Sequence, residues 1–151
     1  MVNNLDEQNL IHDWNIIDYD FSRDASNHPH DIWFDDETLR DGLQSPSAVN
    51  PTIEQKIELI SFMEKIGIQK ADLGLPGAGP FHREHIDAML NHIKDNDFQL
   101  RPGAAVRTLM SDIEPLVDLQ VKHEMQIQAS AFLGTSPIRQ FTEGWTMEKL
   151  L

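Results

Sequence analysis

The chain has 151 residues, a formal net charge of −13, 40% hydrophobic and 25% charged residues, and no cysteine. That length allows one domain with a sizeable core, and the absence of cysteine excludes disulfides and thiol catalysis. The acidity argues against binding a nucleic-acid backbone, which needs clustered lysine and arginine, and fits simple solubility. No apolar run approaches the ~18 residues of a membrane span. The N-terminus carries Asp6 and Glu7 and does not read as a secretory signal, so a cytoplasmic setting is expected.

Residues 1–30 are polar and lack a sustained period, apart from the cluster Trp14, Ile16, Ile17, Tyr19 and Phe21. They read as an N-terminal arm. His28-Pro29-His30 has metal-ligand types, but a surface link is the expected reading. From Ile32 an apolar run leads into Asp35-Asp36-Glu37-Thr38-Leu39-Arg40-Asp41 and stops at Gly42. This predicts a buried strand that delivers Arg40 and Asp41 to its C-terminal end, with Gly42 in the turn. The residues alone leave open a strand-to-helix turn holding a surface ion pair. Thr52 and Gln55 have capping-box spacing, and Ile53, Ile57, Ile60, Met63 and Ile66 form a helical stripe that ends at Gly67. Residues 68–75 predict a second strand.

Pro76-Gly77-Ala78-Gly79-Pro80 follows, a loop without the Walker lysine or the spacing of a phosphate loop. A helix over 81–95 should bury Ile86, Met89, Leu90 and Ile93. On it, His82 and His85 have a spacing that could share a metal, although a solvated outer face is expected. Residues 98–107 predict a third strand, bulged or interrupted at Pro102-Gly103. Ser111 and Glu114 suggest another capping box, before a helix with Ile113, Leu116 and Val117 on its apolar side. Residues 124–133 predict a fourth strand, Gly134 to Pro137 a turn, and Thr146 a further helix start. Strands alternating with helices imply an α/β fold with a parallel sheet and right-handed crossovers. Whether that sheet is open or closes into a barrel is not decided by pattern.

The segment Asp36 to Gln44 resembles the D-x-T-L-R-D-G-x-Q signature of the acyl-CoA-condensing and lyase barrels, matching all seven fixed positions. That family includes 2-isopropylmalate synthase, homocitrate synthase, citramalate synthase and hydroxymethylglutaryl-CoA lyase. Asp72-Leu73-Gly74-Leu75-Pro76 is similar to the family's E-x-G-F-P, with Asp72 at the usual glutamate. Ala105-Val106-Arg107 is similar to the arginine-bearing end of strand three, and Phe132 to Pro137 to the F-I-A-T-S-P segment after strand four. Ser130 stands where the family often has histidine.

The resemblance implies the first half of a TIM barrel over 31–151, since a complete barrel needs about 250 residues. It implies a divalent metal (Mg²⁺, Mn²⁺ or Zn²⁺) with Asp41 as a ligand. Arg40 would stabilise enolate or keto-oxygen charge, with Gln44 beside metal or substrate as a second catalytic group. Leu75 and Pro76 would shape the pocket for the 2-oxo acid side chain, with Arg107 and Thr135 as further substrate contacts. The reaction implied is condensation of acetyl-CoA with a 2-oxo acid followed by thioester hydrolysis. The alternatives are a metal-dependent lyase of the same family and a non-catalytic half barrel. The family's late H-x-H metal motif and its fifth-strand glutamate have no counterpart after strand four. The isolated chain is therefore expected to be inactive, and to pair its open edges with a second copy or a complementing half barrel. No nucleic-acid or membrane partner is expected.

Overall fold

A computed structural model describes residues 33–151. The expected N-terminal arm, with Trp14 to Phe21 and His28-Pro29-His30, lies outside the described residues. The described chain falls into two compact units, one ending at Phe132 and the other comprising Leu133–Leu151.

The first unit is built on four parallel strands: β1 (Asp35–Asp36), β2 (Lys70–Asp72), β3 (Arg101–Arg107) and β4 (Gln128–Phe132), in the spatial order β1-β2-β3-β4. Three helices connect them: α1 (Ile53–Ile66), α2 (Pro80–Asp95) and α3 (Met110–His123). A doubly wound sheet reverses its strand order at a switch point, whereas successive units of a barrel lie side by side. The strictly sequential order among the described strands is therefore that of (β/α) barrel units.

The alternation of side chains along the strands separates two faces. Ala71, Leu73, Ala104 and Val106 point to the helices and join a core with Ile60, Met63, Ile86, Leu90, Leu116 and Leu119. Burying an aliphatic side chain of this size stabilises by about 1.5–3 kcal/mol. The opposite face carries Asp72, Gly103, Ala105 and Ser130, held in line by the pairs Asp72↔Gly103 and Ala105↔Ser130. Its small residues leave space in front of the sheet.

Helix α1 starts and ends as expected. Thr52 and Gln55 form the reciprocal capping box, and Gly67 closes the helix at φ 80°. Its stripe is shifted, however. Ile66 is exposed, while Lys56, three residues after Ile53 and four before Ile60, is buried. Helix α2 buries the four apolar residues expected of it.

Four local expectations are corrected. Trp33 and Phe34 are exposed and β1 is only two residues long, because it pairs with β2 alone among the described residues. The Trp33 ring instead lies 4.2 Å from the Arg101 guanidinium. Strand β3 runs through Pro102-Gly103 without a bulge: its partner β4 begins pairing only at Gly103, so the missing proline N–H deprives no ladder bond. Helix α3 begins at Met110 rather than after Ser111, without a side-chain cap. Val117 on that helix is exposed, and Leu119 takes the buried place.

In the second unit Ser136 caps a short helix α4 (Pro137–Glu143), which the sequence reading treats as the end of a turn. Gly144 ends it at φ 62°, and Thr146 caps α5 (Met147–Leu150) as expected.

Candidate functional site

The signature segment is a tight turn after β1. The Asp36 carboxylate accepts the Thr38 N–H at 2.8 Å, and the Glu37 carbonyl accepts the N–H groups of Arg40 and Gly42 at 3.2 and 3.0 Å. Leu39 is buried and anchors the turn in the core. The chain then enters a 3-10 turn, Gly42–Gln44. Anchoring Leu39 inward leaves Arg40 and Asp41 at the C-terminal end of the strand, as the sequence predicts.

Arg40 organises the local charges. Its Nε donates to Glu37 Oε2 at 2.8 Å, and its Nη1 to Asp41 Oδ1 at 3.1 Å. Asp72 Oδ2 lies 3.8 Å from Arg40 Nε, beyond hydrogen-bond reach. Burial disfavours the Arg40 charge, but Glu37, Asp41 and Asp72 outweigh it and raise the guanidinium pKa. The guanidinium is thus a fixed cation.

Asp72 is the unusual member. Its Oδ1 accepts the Gly74 N–H at 3.0 Å, while Oδ2 is buried without a hydrogen-bond partner among the described residues. Burial, aided by the negative charge of Glu37, raises its pKa; the Gly74 N–H and Arg40 oppose the shift without cancelling it. Arg40, Gln44, Asp72, Leu75, Ala105, Ser130, Ala131 and Phe132 line one open pocket of about 340 Å³ on the small-residue face of the sheet.

The expected site residues separate accordingly. Arg40, Gln44 and Leu75 line this pocket. Asp41 is two-thirds exposed beside it, held by Arg40. Pro76 is fully buried and opens a short 3-10 turn, so it supports the loop from behind. Arg107 turns away into a bidentate pair with Asp112, at 2.6 and 2.7 Å. Thr135 belongs to the second unit, where it is exposed and its carbonyl accepts Gln140 Nε2 at 2.7 Å. Asp72 is the pocket residue that the sequence reading leaves out of its site, although its place at the family's strand-two glutamate is the available signal.

A divalent cation finds one hard ligand here. Asp41 is a carboxylate with a free oxygen, but no group of three metal-ligating side chains occurs among the described residues. The donors fit a cation in kind and not in number. His82 and His85 do not share such a site either: they line a second pocket with Lys56. His92 is bonded to Ser61 at 2.9 Å.

Comparison with known proteins identifies the family. The HMGL-like family model matches residues 31–143. The chain belongs to the HMGL-like family. Similar proteins include the 2-isopropylmalate synthases of Brevibacillus brevis, at 28% identity over 77% of this chain and 22% of that protein, and of Streptococcus gallolyticus, at 32% over 80% and 22%. The 2-isopropylmalate synthase of Methylococcus capsulatus is 32% identical over 68% of this chain and 19% of its own length. This HMGL-like chain thus spans about a fifth of the length of the curated relatives it matches. The four parallel units are consistent with the TIM-barrel part of the HMGL-like fold. Among the described residues, no helix is long and apolar enough to cross a membrane.

Proposed function

We propose that this chain carries part of the active site of an acyltransferase that condenses acetyl-CoA with a 2-oxo acid and then hydrolyses the thioester. The observation that carries the reading is the convergence of Arg40 and Gln44 from the signature with Asp72 and Leu75 from strand two on a single pocket. The pocket sits at the C-terminal ends of parallel strands, where barrel enzymes keep their chemistry.

The acetyl methyl group loses a proton alpha to the thioester carbonyl, and the resulting carbanion forms a carbon–carbon bond to the keto carbon. The keto oxygen takes up the negative charge and then a proton. Water next attacks the thioester carbonyl, releasing the thiol of CoA and leaving a carboxylate. Arg40 donates to the developing oxyanion: its planar fork cannot lose its proton, and Glu37 and Asp41 hold its orientation in advance. Asp72 brings an unpaired but covered acceptor, Oδ2, to the pocket wall, where a substrate hydroxyl or proton would have to displace neighbouring atoms to reach it. The Gln44 amide orients substrate, and Leu75 faces the side chain of the 2-oxo acid, with Pro76 fixing its loop. Arg107 contacts substrate by exchanging part of its pair with Asp112, and Thr135, in the second unit, is assigned a substrate contact by the family resemblance alone. Asp41 supplies one ligand to Mg²⁺, Mn²⁺ or Zn²⁺, and such a cation, when bound, polarises the keto group.

The segment Asp72 to Pro76 favours the condensing members of the family over the lyases. A non-catalytic half barrel is a second reading, favoured by the lack of any group of three metal-ligating side chains among the described residues. Each of β1 and β4 has one strand neighbour among the described residues. Their other edges are where a second copy or a complementing half barrel would pair.

Calorimetric titration of the chain with pyruvate, 2-oxobutanoate and 2-oxoisovalerate in the presence of Mn²⁺ tests the site. Binding is expected and should weaken in Arg40→Lys, which keeps the charge but loses the fork. In the protein that releases thiol from acetyl-CoA, the same change should lower the rate by about 10²–10³. Failure of all three acids to bind would remove the acyl-transfer reading and leave the non-catalytic one.

A further inference from the structure

Behind the signature turn lies a second open pocket of about 340 Å³, between the turn, α1, the end of β2 and the start of α2. Its lining includes Arg40, Lys56, His82 and His85 and no carboxylate, in a chain with a formal net charge of −13. Lys56 is 5% exposed, and its ammonium makes no hydrogen bond or ion pair with any described residue. Its ammonium lies 5.8 Å from the centroid of the Phe81 ring, a weak substitute for a counter-ion. His85 Nδ1 is likewise buried with no hydrogen-bond partner among the described residues. Burial, the Lys56 charge and His82 all depress the His85 pKa, against a smaller opposing effect of Glu84 and Glu54, which are both exposed.

The stem of Lys56 is covered while its ammonium keeps contact with the open pocket, so an unpaired positive charge faces that space. The pocket offers the rest of an anion site. Asn50 and Gln44 supply amides, and the first turns of α2, which starts at Pro80, bring His82 and His85 to the lining. A lysine ammonium with imidazole and amide groups around one open pocket suits an oxyanion that accepts several hydrogen bonds at once.

We propose that Lys56, His82 and His85 form a binding site for an oxyanion of the phosphate class, in a pocket that adjoins the one holding Asp72 and shares Arg40, Gln44 and Leu75 with it. It does not depend on the acyl-transfer reading. Its probe is inorganic phosphate. Long-range ¹H–¹⁵N spectra of the imidazoles are recorded on the full chain near pH 7, titrated with sodium phosphate at ionic strength held constant by sodium chloride. His82 and His85 should shift together and saturably. His92, bonded to Ser61, and His123, bonded to Asp87, should not. Lys56→Met should weaken the midpoint by about tenfold or more, the loss expected for one charge-assisted contact. In the unsubstituted chain the Lys56 ¹³Cε resonance should move with the same midpoint as His85, a readout that needs no variant to fold. Absence of a saturable shift, an unchanged midpoint in folded Lys56→Met, or a stationary Lys56 resonance would each overturn the site. Saturation by acetate at an equal midpoint would overturn its assignment to phosphate.

Discussion

Replacing Asp72 by asparagine should make the protein more stable and the site worse. The charges around the carboxylate set the outcome. At 3.8 Å, attraction to Arg40 would be about 4 kcal/mol at an effective dielectric of 20. Arg40 is already neutralised by Glu37 and Asp41, which repel Asp72 in turn. The neighbouring side chains therefore sum to little net attraction. What remains is the desolvation of a carboxylate whose side chain is 3% exposed and whose Oδ2 has no hydrogen-bond partner among the described residues. Asparagine keeps the bond from the Gly74 N–H through its carbonyl oxygen and removes the charge. The gain at neutral pH should be about 1–2 kcal/mol, the lower part of the range for relieving a buried, unsatisfied polar group, because the new amide N–H₂ is itself unpaired. The pH dependence gives the second readout. A carboxyl whose folded pKa is raised binds more protons folded than unfolded, between its unfolded and its folded pKa. Stability therefore falls as pH rises through that window and stays low above it. Asp72→Asn should lack this falling limb. Urea unfolding at several pH values measures both, and the same samples should bind 2-oxo acids more weakly. A variant less stable than wild type by 1 kcal/mol or so at neutral pH, or one with the same pH slope, would refute the claim that burial outweighs Arg40.

Three further substitutions probe the scaffold around the pocket. A Cβ on Gly77 would lie 2.6–2.7 Å from Oδ1, Cγ and Cα of Asp112, and a backbone atom cannot swing aside. Gly77→Ala should therefore cost about 1–3 kcal/mol in urea unfolding. Gly42→Ala, inside the signature, meets nothing closer than 3.7 Å and should be close to neutral, so reversal of that order would count against the packing described. Asp112 is fully covered, and the Arg107 guanidinium bonded to it lowers its pKa. Its contribution is complete above the unfolded carboxylate pKa and is lost as pH falls through the lowered one. Asp112→Asn should lower the urea midpoint at neutral pH, and the gap from wild type should close in acid; a gap independent of pH would exclude the ion pair as its source.

Much of this was legible in the sequence because the signals were local. Thr52, Gln55 and Gly67 bound α1 by rules that concern one helix turn at each end, and Asp36, Leu39 and Gly42 shape the signature turn within seven residues. The errors arise where a residue's fate depends on a neighbour far along the chain. Pro102 looks like an interruption until the register with β4 shows that its nitrogen faces no ladder partner. The pairing of Arg107 with Asp112 is not visible in the sequence, because it depends on where α3 starts. Trp33 and Phe34 look like core, yet β1 has one partner among the described residues and Arg101 takes the Trp33 ring. Lys56 is the instructive case, because its signal was present. A charged residue three after Ile53 and four before Ile60 sits on the apolar stripe by helical period alone, and such a residue must either reach water past its neighbours or find a counter-charge. Here it is buried beside two histidines at the edge of a pocket that contains no carboxylate. A polar residue that breaks its own helix's pattern marks the place where packing alone does not explain the sequence. In this chain that place adjoins the Arg40 turn, so the two pockets share Arg40, Gln44 and Leu75, and occupancy of one bears directly on side chains that line the other.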